Sequence, residues 1–450
     1  MDKKNTRAVF TTRIGAVAAA VGSAVGLGNI WRFPYEAGSH GGGAFMLCYI
    51  GFIFLIGFPV ICAEFIMGRQ TRSNEFRSFR TLAPGRPGWS VLALIGILSS
   101  VMILGFYSVV AGWTVEYIWL SISGELFSES GNLSQTFATA IGGGWRPVFW
   151  TFVFLLLNYI ILSRGVQKGI EKLNNILMPL MFVLLIVLCI NSLFMSGASE
   201  GLKFLFLPDF SKLTPDVVLS ALGQSFFSLS IGVGTMLTYA SYFSDDTRLA
   251  KTAFTTAILD TLVAILAGVM IFPAVFSFGM QPAQGPALVY EVLPQVFRSI
   301  NGGMIWASIF FFLLFLASIS STISMSEIQI AFLIEELKLS RRGANLTVLA
   351  VAMVLGCVCA LSFGPLRDAT LFGKTFFDFL DYVASNIFMP LCGMFIAFFV
   401  GWKLDKQVIR KQLSNNGSVT DKGMPYIIFC LKWIAPPAIF LVMLNSIDIL

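Results

Sequence analysis

Residues 25–29, Val-Gly-Leu-Gly-Asn, are echoed by residues 231–235, Ile-Gly-Val-Gly-Thr. Each segment has an apolar-Gly-apolar-Gly-polar pattern and interrupts a long apolar stretch. Glycine weakens a helix, and unwound backbone inside a membrane is tolerated only around a polar cavity or an ion. The pair therefore predicts two broken helices that flank a binding site at the bilayer midplane, a rule itself drawn from membrane proteins of this architecture.

Gly22 and Gly26 also fit another interpretation, because glycines four residues apart form packing seams between membrane helices. The polar residues beside the breaks favour a binding site instead. Asn29 follows the first glycine pair, and Ser228 and Ser230 precede the second. Such side chains need polar partners at midplane depth, so we prefer the interpretation as a site.

The composition around these segments is that of a membrane protein. Of 450 residues, 56% are hydrophobic and 12% are charged, whereas typical globular domains have about 25% charged residues. This leaves too little polar surface to cover a soluble protein, but a surface that faces lipid needs none. We therefore predict an all-α polytopic membrane protein that forms a single domain over residues 1–450.

Charge, histidine and cysteine usage exclude several classes of function. The net charge is +6, but Lys and Arg lie in short clusters between apolar runs, which is not the pattern of a nucleic-acid binder. His40 is the only histidine, which excludes His-based zinc sites and catalytic triads. The seven cysteines lie in apolar stretches without a C-x-x-C pair. Because no nucleophile and base stand out, we predict that the protein is not an enzyme.

Eleven apolar runs could each cross about 30 Å of hydrocarbon as a helix of about 20 residues. The first could be mistaken for a secretory signal, but its pattern continues through Gly28, Asn29 and Trp31, which favours a retained helix. The predicted spans, numbered 1 to 11, are residues 14–35, 41–68, 88–121, 147–163, 173–197, 217–242, 252–277, 302–335, 343–364, 379–402 and 423–447.

The distribution of Lys and Arg predicts the orientation of these spans. With the N-terminus in the cytoplasm, most of the 30 Lys and Arg residues fall on the cytoplasmic side, as the positive-inside rule requires. Spans 1 and 6 would be the first helices of two five-helix repeats, residues 14–200 and 217–402. An eleventh helix at 423–447 follows them. Five is an odd number, so the second repeat would be inverted and the C-terminus would be extracellular.

Several motifs resemble those of the neurotransmitter:sodium symporters, particularly the bacterial branch that transports amino acids. The resemblance covers nearly the whole chain. It implies a leucine-transporter-like fold with a 5+5 inverted repeat, and a symporter in the cell membrane that imports amino acids with sodium by alternating access. The motifs are Arg13-Ile-Gly, Gly26-Leu-Gly-Asn-Ile-Trp-Arg-Phe-Pro34, Gly41-Gly-Gly-Ala-Phe45, Glu64, Gly232-Val-Gly-Thr235, Thr238-Tyr-Ala-Ser-Tyr242 and Ser320-Ser321.

The resemblance implies two sodium ions. One would lie against the substrate carboxylate, and the other would hold span 1 to span 8. Oxygen ligands of the kind found at the matching positions suit a hard cation. The first site comprises the Ala24 carbonyl, the Asn29 amide oxygen, Ser228 and Asp260. The second comprises the carbonyls of Gly22, Val25 and Ala317 and the hydroxyls of Ser320 and Ser321.

Asp260 stands where the family usually has asparagine. A charge at the bilayer centre costs about 2.5–3.5 kcal/mol on insertion scales, so it needs a partner or a function. Chloride-dependent relatives have an anion site here, and Tyr49, Gln224 and Ser228 match it. Ala264 replaces its second serine. We expect the Asp260 carboxylate to replace chloride, so that transport is chloride-independent. A protonated carboxyl that is merely hydrogen-bonded in the core is the alternative.

The resemblance also implies which residues line an amino-acid pocket. The half-helix that begins near Gly28 would offer its positive dipole to the substrate carboxylate, with Tyr107 as hydroxyl donor. Val233 stands where relatives with small substrates often have phenylalanine, so we expect a bulky hydrophobic or aromatic L-amino acid beside the adaptable Met325. The implied pocket residues are Ser23, Ala24, Gly28, Ile103, Tyr107, Phe227, Ser228, Ser230, Val233, Ser321 and Met325.

Four charged residues match the gates of the family, as two pairs. The outer pair would meet directly or through water above an aromatic lid of Tyr107 and Phe227. The inner pair has a glutamate where the family has an aspartate. Each charge alone could be an ordinary residue at the membrane edge. The implied gate residues are the outer pair Arg32 and Asp381, and the inner set Arg7, Glu335, Ser241 and Tyr242.

Three further residues are expected to act through the backbone. Glu64 would accept hydrogen bonds from amides that the broken helices free. Gly169 and Pro179 match a motif at which span 5 unwinds locally and opens a water path to the second sodium site, with a simple proline kink as the alternative. Glu116 and Glu327 lie within spans 3 and 8, and the sequence does not explain them.

The expected partners are an amino-acid substrate, two sodium ions and membrane lipid, without chloride or nucleic acid, and the expected assembly is a monomer or weak dimer. A cation channel is the main alternative, because carbonyls and hydroxyls also line filters. A sodium-coupled carrier of another small solute is the other alternative. Filter signatures are missing from the sequence, and the paired glycines favour a carrier.

Overall fold

The computed structural model describes residues 7–128, 132–280, 288–420 and 422–446. Over these residues the chain is helical, and the only β-type pairing is one isolated bridge between Leu371 and Lys374. The predicted all-α class is therefore confirmed.

Nine helices in the described ranges are long and apolar enough to cross a membrane, and they correspond to predicted spans 2–5 and 7–11. The largest shift is at span 5, which begins seven residues earlier than the sequence predicted because a π-helical turn, Val166–Glu171, precedes the α-helix. The nine helices are Gly43–Thr71, Gly88–Ile122, Trp145–Ser163, Val166–Leu193, Leu249–Ser277, Gly303–Glu336, Arg341–Leu361, Phe376–Lys403 and Met424–Ser446.

Span 1 is broken at the predicted glycines. Its two halves, Arg13–Ala24 and Gly28–Ser39, meet at an angle of 51°. The first half ends at Val25, whose extended backbone (ψ 120°) leaves the helical region. The second half starts with the π-helical turn Gly28–Arg32 before it becomes α-helical.

Span 6 is also broken, into Pro215–Ser228 and Thr235–Ala240. Pro215 occupies the first helical position, where its missing N–H costs nothing. Between the halves, Gly232 and Gly234 have φ values of +83° and +80°, which strongly favour glycine. The prediction of two broken helices is confirmed, and with both counted as spans the described residues are consistent with the eleven predicted.

Short helices that the sequence did not reveal connect the spans. They have only 6 to 10 residues, so they are too short to stand out as apolar runs that could cross a membrane. Those in the described residues include Glu75–Leu82, Leu133–Gly142, Ala198–Phe206, Leu293–Arg298 and Lys406–Leu413.

The broken helices lie in the centre of the bundle, and a ring of other spans surrounds them. Val25 and Ile30 of span 1 and Ile231 of span 6 are fully buried. Spans 4, 5 and 9 instead expose large apolar side chains such as Phe149 and Val183. Such side chains suit contact with lipid, so the unwound backbone is kept away from the hydrocarbon.

The start of span 5 is helical in this structure, so the predicted local unwinding at Gly169 is not present in this conformation. The segment is tied to the start of span 1 by Glu171, whose carboxylate accepts hydrogen bonds from the backbone amides of Thr11 (2.9 and 3.1 Å) and Thr12 (3.1 Å). Unwinding in another conformation stays a prediction.

Gly112 tests the packing of span 3 against span 4. A Cβ atom there would lie 2.7 Å from the backbone nitrogen of Thr151, which cannot move aside. We expect Gly112→Ala to lower the free energy of unfolding by about 1–3 kcal/mol, as overpacking does. Gly88→Ala on the same helix is the control, since nothing lies within 4 Å of its Cβ position. Thermal unfolding of the purified variants in detergent measures both, and equal melting temperatures would contradict the packing argument.

Candidate functional site

A small cavity lies between the two helix breaks. It contains ten of the eleven residues predicted to line a pocket and adds Gly26 and Met389. Ser23 is the exception: its side chain is buried outside the cavity, and its carbonyl accepts a hydrogen bond from Ser230 Oγ at 3.1 Å. The lining residues are Ala24, Gly26, Gly28, Ile103, Tyr107, Phe227, Ser228, Ser230, Val233, Ser321, Met325 and Met389.

The cavity is contracted in this structure. Its free volume is about 20 Å³, enough for roughly one water molecule. Phe227 and Met389 also line a second cavity of about 160 Å³, on the side of Arg32. These two side chains therefore separate the central cavity from the outer one, which is the position expected of a lid.

Side chains and nearby carbonyls take up amides at the first break. The Leu27 N–H donates to the hydroxyl of Tyr107 at 3.0 Å, and the Asn29 N–H donates to the Gly26 carbonyl at 3.2 Å. The half-helix Gly28–Ser39 begins at the cavity wall, so its positive N-terminal end faces the cavity.

Asp260 lies beside the cavity and is fully buried. Ser228 Oγ donates to its Oδ2 at 2.6 Å, Asn29 Nδ2 donates to its Oδ1 at 2.8 Å, and the Tyr49 hydroxyl is 3.4 Å from Oδ2. Within the described ranges no Lys or Arg pairs with this carboxylate. A buried negative charge with neutral donors alone is incompletely compensated, so this cluster suits a small cation or a proton.

The amide of Asn29 points differently from the sequence-based expectation. Its oxygen accepts a hydrogen bond from the Gly26 N–H at 3.0 Å, and its nitrogen faces Asp260 and Ser228. In the absence of a cation, an amide nitrogen is the better neighbour for a carboxylate. The residues predicted for the first sodium site come together, but with a donor where the ligand was expected.

Of the residues that match a chloride site in relatives, Tyr49 and Ser228 contact the same carboxylate. The Tyr49 hydroxyl and Ser228 Oγ are 2.9 Å apart, and both contact Asp260. Gln224 donates to the Gly28 carbonyl at 2.9 Å, while its Oε1 is buried without a partner. Ala264 is buried and offers no hydroxyl. The carboxylate thus occupies the space towards which the polar side chains converge.

The residues predicted for the second sodium site connect span 1 to span 8. Ser321 Oγ of span 8 donates to the Val25 carbonyl of span 1 at 3.1 Å. Ser320 Oγ instead donates to the Ala317 carbonyl of its own helix at 3.0 Å. Gly22 packs against span 5, where a Cβ atom would meet the Asn174 side chain at 2.3 Å.

Glu64 makes the hydrogen bonds predicted for it. Its two carboxylate oxygens accept from the Gly232 N–H at 2.8 Å and from the Leu237 N–H at 3.1 Å. Both amides belong to the second break, so this fully buried side chain replaces the helical partners that the break removes.

The outer charge pair was predicted to meet directly or through water, and the structure bears only on the direct contact. No direct ion pair joins Arg32 to Asp381 in the part of the chain that the structure describes. Arg32 is 3.6 Å from Glu36, one turn further along its own half-helix, and its guanidinium lies 4.3 Å from the ring centre of Phe227. Asp381 accepts a hydrogen bond from Ser385 at 2.8 Å. Arg32 and Glu36 are four residues apart, a spacing that brings two side chains together on one face of a helix.

The inner charge pair is formed. Arg7 makes an ion pair with Glu335, and its guanidinium lies 4.6 Å from the ring centre of Tyr242. Both charged side chains are only 11% exposed, so this end of the molecule is closed. The Ser241 hydroxyl, predicted to support the pair, donates to the Thr238 carbonyl.

Sequence reasoning missed the role of Glu327. The fully buried carboxylate accepts from the Tyr242 hydroxyl at 2.7 Å and from both terminal nitrogens of Arg341 at 3.0 and 2.7 Å. It therefore extends the inner cluster to span 9. Glu116 similarly pairs with Arg146 at the start of span 4. A buried carboxylate is costly unless a cation lies beside it. An acid within a predicted span could therefore have indicated an arginine partner at the nearest helix end.

The helical fold and the cavity between two broken helices define a membrane transporter. The sequence profile described as "Sodium:neurotransmitter symporter family" matches residues 7–140 and 144–449. The chain therefore belongs to the sodium:neurotransmitter symporter family, and it is a sodium-dependent, multi-pass membrane transporter and not an enzyme.

Individual relatives agree with this assignment. A sodium-dependent transporter of Bacillus subtilis (strain 168), YhdH, is 40% identical over 443 residues, which cover 98% of each protein. A sodium-dependent transporter of Haemophilus influenzae is 38% identical over 420 residues, 91% of this chain and 92% of the relative. The crystal structure of MhsT in complex with L-phenylalanine superposes with a TM-score of 0.91 at 45% identity, covering 98% of this chain and 100% of MhsT.

Glu64→Gln tests whether the carboxylate holds the second break. The amide has only one accepting oxygen, so one of the two bonded N–H groups loses its partner. We expect the free energy of unfolding to fall by about 1–3 kcal/mol, the cost of one unsatisfied buried donor. Glu200→Gln, at an exposed position, is the matched control. Thermal unfolding in detergent compares the stabilities of the two variants. If Glu64→Gln is as stable as Glu200→Gln, the Glu64 carboxylate does not hold the second break.

Proposed function

We propose that this transporter imports bulky hydrophobic or aromatic L-amino acids together with two sodium ions, independently of chloride and by alternating access. The observation that carries the proposal is the buried Asp260 carboxylate beside the cavity, which has only neutral donors around it. The similarity to MhsT, whose crystal structure contains L-phenylalanine, supports an amino-acid substrate.

The polar side of the cavity suits the carboxylate of an amino acid. The positive end of the half-helix Gly28–Ser39 attracts an anion. Tyr107 accepts the Leu27 N–H and lies beside Ser321, and its hydroxyl proton could turn to a substrate oxygen. The α-amino group would meet carbonyls and hydroxyls on the opposite side, among them Ala24 and Ser230.

The apolar side of the cavity suits a large side chain after local rearrangement. Ile103, Val233 and Met325 form this side, and Phe227 and Met389 close it. The present free volume of about 20 Å³ cannot hold an aromatic ring. Methionine side chains are flexible and adapt to the shape of a ligand, so movement of Met325 and Met389 would enlarge the cavity.

We assign the first sodium ion to the Ala24 carbonyl, Asn29, Ser228 and Asp260. A cation there would be attracted by the carboxylate and would favour the oxygen of the Asn29 amide over its nitrogen. Sodium binding therefore requires the Asn29 side chain to turn. It would also compensate the charge of Asp260, which makes a separate anion unnecessary.

We assign the second sodium ion to the carbonyls of Gly22, Val25 and Ala317 and the hydroxyls of Ser320 and Ser321. The bond between Ser321 and Val25 already links spans 8 and 1, and an ion there would strengthen the link. This site lacks a carboxylate, so it should bind sodium more weakly than the first. At 100 mV and a tenfold gradient, two ions supply about 7 kcal/mol, enough for a substrate gradient on the order of 10⁵-fold.

Alternating access needs a closed end that can open. The proposed inner gate is the cluster of Arg7, Glu335 and Tyr242, with Glu327 as a further member, while Ser241 supports the turn. The proposed outer gate is Arg32 with Asp381, with Phe227 as the lid below it. We further propose that residues 14–200 and 217–402 are inverted repeats, followed by 423–447, with a cytoplasmic N-terminus and an extracellular C-terminus.

Uptake into proteoliposomes tests the substrate and the ions. Radiolabelled phenylalanine uptake should require an inward sodium gradient and should be inhibited best by bulky apolar amino acids among the twenty tested as competitors. A variant in which the lining is crowded, Val233→Phe, should lose aromatic substrates and retain smaller ones. Glycine or a charged amino acid as the best competitor would contradict the proposed pocket. Sodium currents without saturable substrate uptake would favour a cation channel instead.

The role of Asp260 is tested by exchanging chloride for gluconate. Wild-type uptake should be unchanged, because the carboxylate already balances the sodium charge. Asp260→Asn should reduce uptake at least tenfold in gluconate, and chloride should restore part of it, because the anion can occupy the neutral site. Asp368→Asn, at an exposed position, is the control. A severalfold loss of wild-type uptake in gluconate would overturn the assignment.

A further inference from the structure

Glu75 is a fully buried carboxyl group outside the proposed substrate and ion sites. It is the first residue of the connecting helix Glu75–Leu82, between spans 2 and 3. Instead of facing water, as acids in such loops usually do, its side chain enters the bundle. Residues of four spans lie around it there. They are Glu64 of span 2, Gly96 of span 3, Gly234 of span 6 and Cys392 of span 10.

The carboxyl group of Glu75 makes one weak hydrogen bond in the part of the chain that the structure describes. Its Oε1 accepts one weak hydrogen bond from the thiol of Cys392, at 3.3 Å. Its Oε2 is buried and has no hydrogen-bond partner in the described structure. A Cβ atom at Gly234 would lie 2.3 Å from this Oε2, so the unbonded oxygen is aimed at the break in span 6.

No cation in the described residues compensates an ionised Glu75. The titratable groups that face it are the Glu64 carboxyl and the Cys392 thiol. From spans 3 and 6 it faces Gly96 and Gly234, which carry no side-chain charge. Arg77, on the same connecting helix, is bound to Glu336 at 3.0 Å. Arg7 is paired with Glu335.

Burial, together with the nearby charge of Glu64, raises the pKa of Glu75 to about 8 from an ordinary value near 4.5. Glu64 already accepts two backbone N–H groups, which stabilise its charge. Glu75 lacks such donors, so burial favours its protonated form more strongly than that of Glu64.

The connecting helix also holds the closed inner cluster. Asn74, which precedes Glu75, donates to Glu335 through its backbone N–H and its side chain, both at 2.9 Å. Glu335 is the carboxylate that pairs with Arg7. Two consecutive residues thus connect a buried acid below the span 6 break to the ion pair that closes this end of the molecule.

We propose that Glu75 is a proton-binding site, and that the proton it carries keeps the Arg7–Glu335 end of the transporter closed. Release of the proton from its carboxyl group to water leaves a carboxylate with one thiol donor beside Glu64. Such a charge is stable only when water reaches it, so ionisation draws the connecting helix away from the bundle. Asn74 moves with the helix and loses its hold on Glu335. The proposal does not depend on the substrate or on the sodium sites.

The direction of the pH dependence follows from the two pKa values. The closed form retains its proton up to about pH 8, whereas a hydrated Glu75 in the open form ionises near its ordinary value. Between these pH values opening releases a proton. Each rise of one pH unit therefore increases the equilibrium constant for opening by up to tenfold. Above about pH 8 both forms are ionised, and the dependence levels off.

Infrared spectroscopy tests the proton directly. The purified wild-type protein at pH 6 should show the C=O band of a protonated carboxyl that disappears as pH rises through about 8. Glu75→Gln, which has nearly the same shape and no titration, should lack this component. Asp246→Asn removes an exposed carboxyl at the same end of the molecule, and this variant should retain the band of the protonated carboxyl. A spectrum of Glu75→Gln identical to that of the wild type would overturn the proposal.

Hydrogen–deuterium exchange tests the link to opening. After correction for the intrinsic rate, exchange of the Glu75–Leu82 and Thr235–Ala240 amides should rise between pH 6 and pH 8 by at least tenfold, and at most about a hundredfold. The rise should vanish in Glu75→Gln and persist in Asp246→Asn. The same rise in Glu75→Gln would overturn the proposal.

Cys392→Ala provides a second test if Glu75→Gln folds poorly. The variant removes the one donor to the carboxylate, so the disappearance of the infrared band should move to higher pH. A midpoint that stays in place or moves to lower pH would overturn the account of how Glu75 is held.

Discussion

The backbone groups freed by the breaks in spans 1 and 6 constrain the rest of the structure. In the interior of a membrane protein each free N–H or C=O needs a partner within the chain. Glu64 accepts two amides from the second break, the Tyr107 hydroxyl accepts one from the first, and Ser321 donates to the Val25 carbonyl. Spans 2, 3 and 8 are thereby held around the centre by polar bonds, and the apolar side chains outside them face lipid.

The same constraint concentrates the buried charges near the breaks and the ends of the spans. Glu327 and Glu116 each have an arginine partner at a neighbouring helix end, so they are structural ion pairs. Asp260 and Glu75 have none in the described residues, and each lies beside a break. An acid that is buried without a cation suits an exchangeable one, such as sodium at Asp260 or a proton at Glu75. Glu64 also lacks a cation, but two backbone N–H groups compensate its carboxylate, so the acids proposed to change state are those with neither a cation nor such donors.

The two ends of the transporter differ in how firmly they are closed. At one end Arg7, Glu335, Tyr242, Glu327 and Arg341 form a continuous cluster. At the other, an arginine rests on the Phe227 ring without a direct partner across the bundle. A charge cluster with low exposure costs more to separate than a cation over a ring. The structure therefore represents a conformation whose Arg7–Glu335 end is shut and whose central cavity is small.

The sequence by itself determined the class, the spans and the two breaks, because lipid permits few structures and a Gly-x-Gly pair in an apolar run has few uses. Through its resemblance to a known family, the sequence also indicated ten of the residues that line the cavity. Only the tertiary structure decided the partners of the charges. Arg341 pairs with Glu327 of another span, and the side chain of Glu75 is buried among four spans. A side chain's partner depends on which helices pack together, and helix packing is not encoded in local spacing.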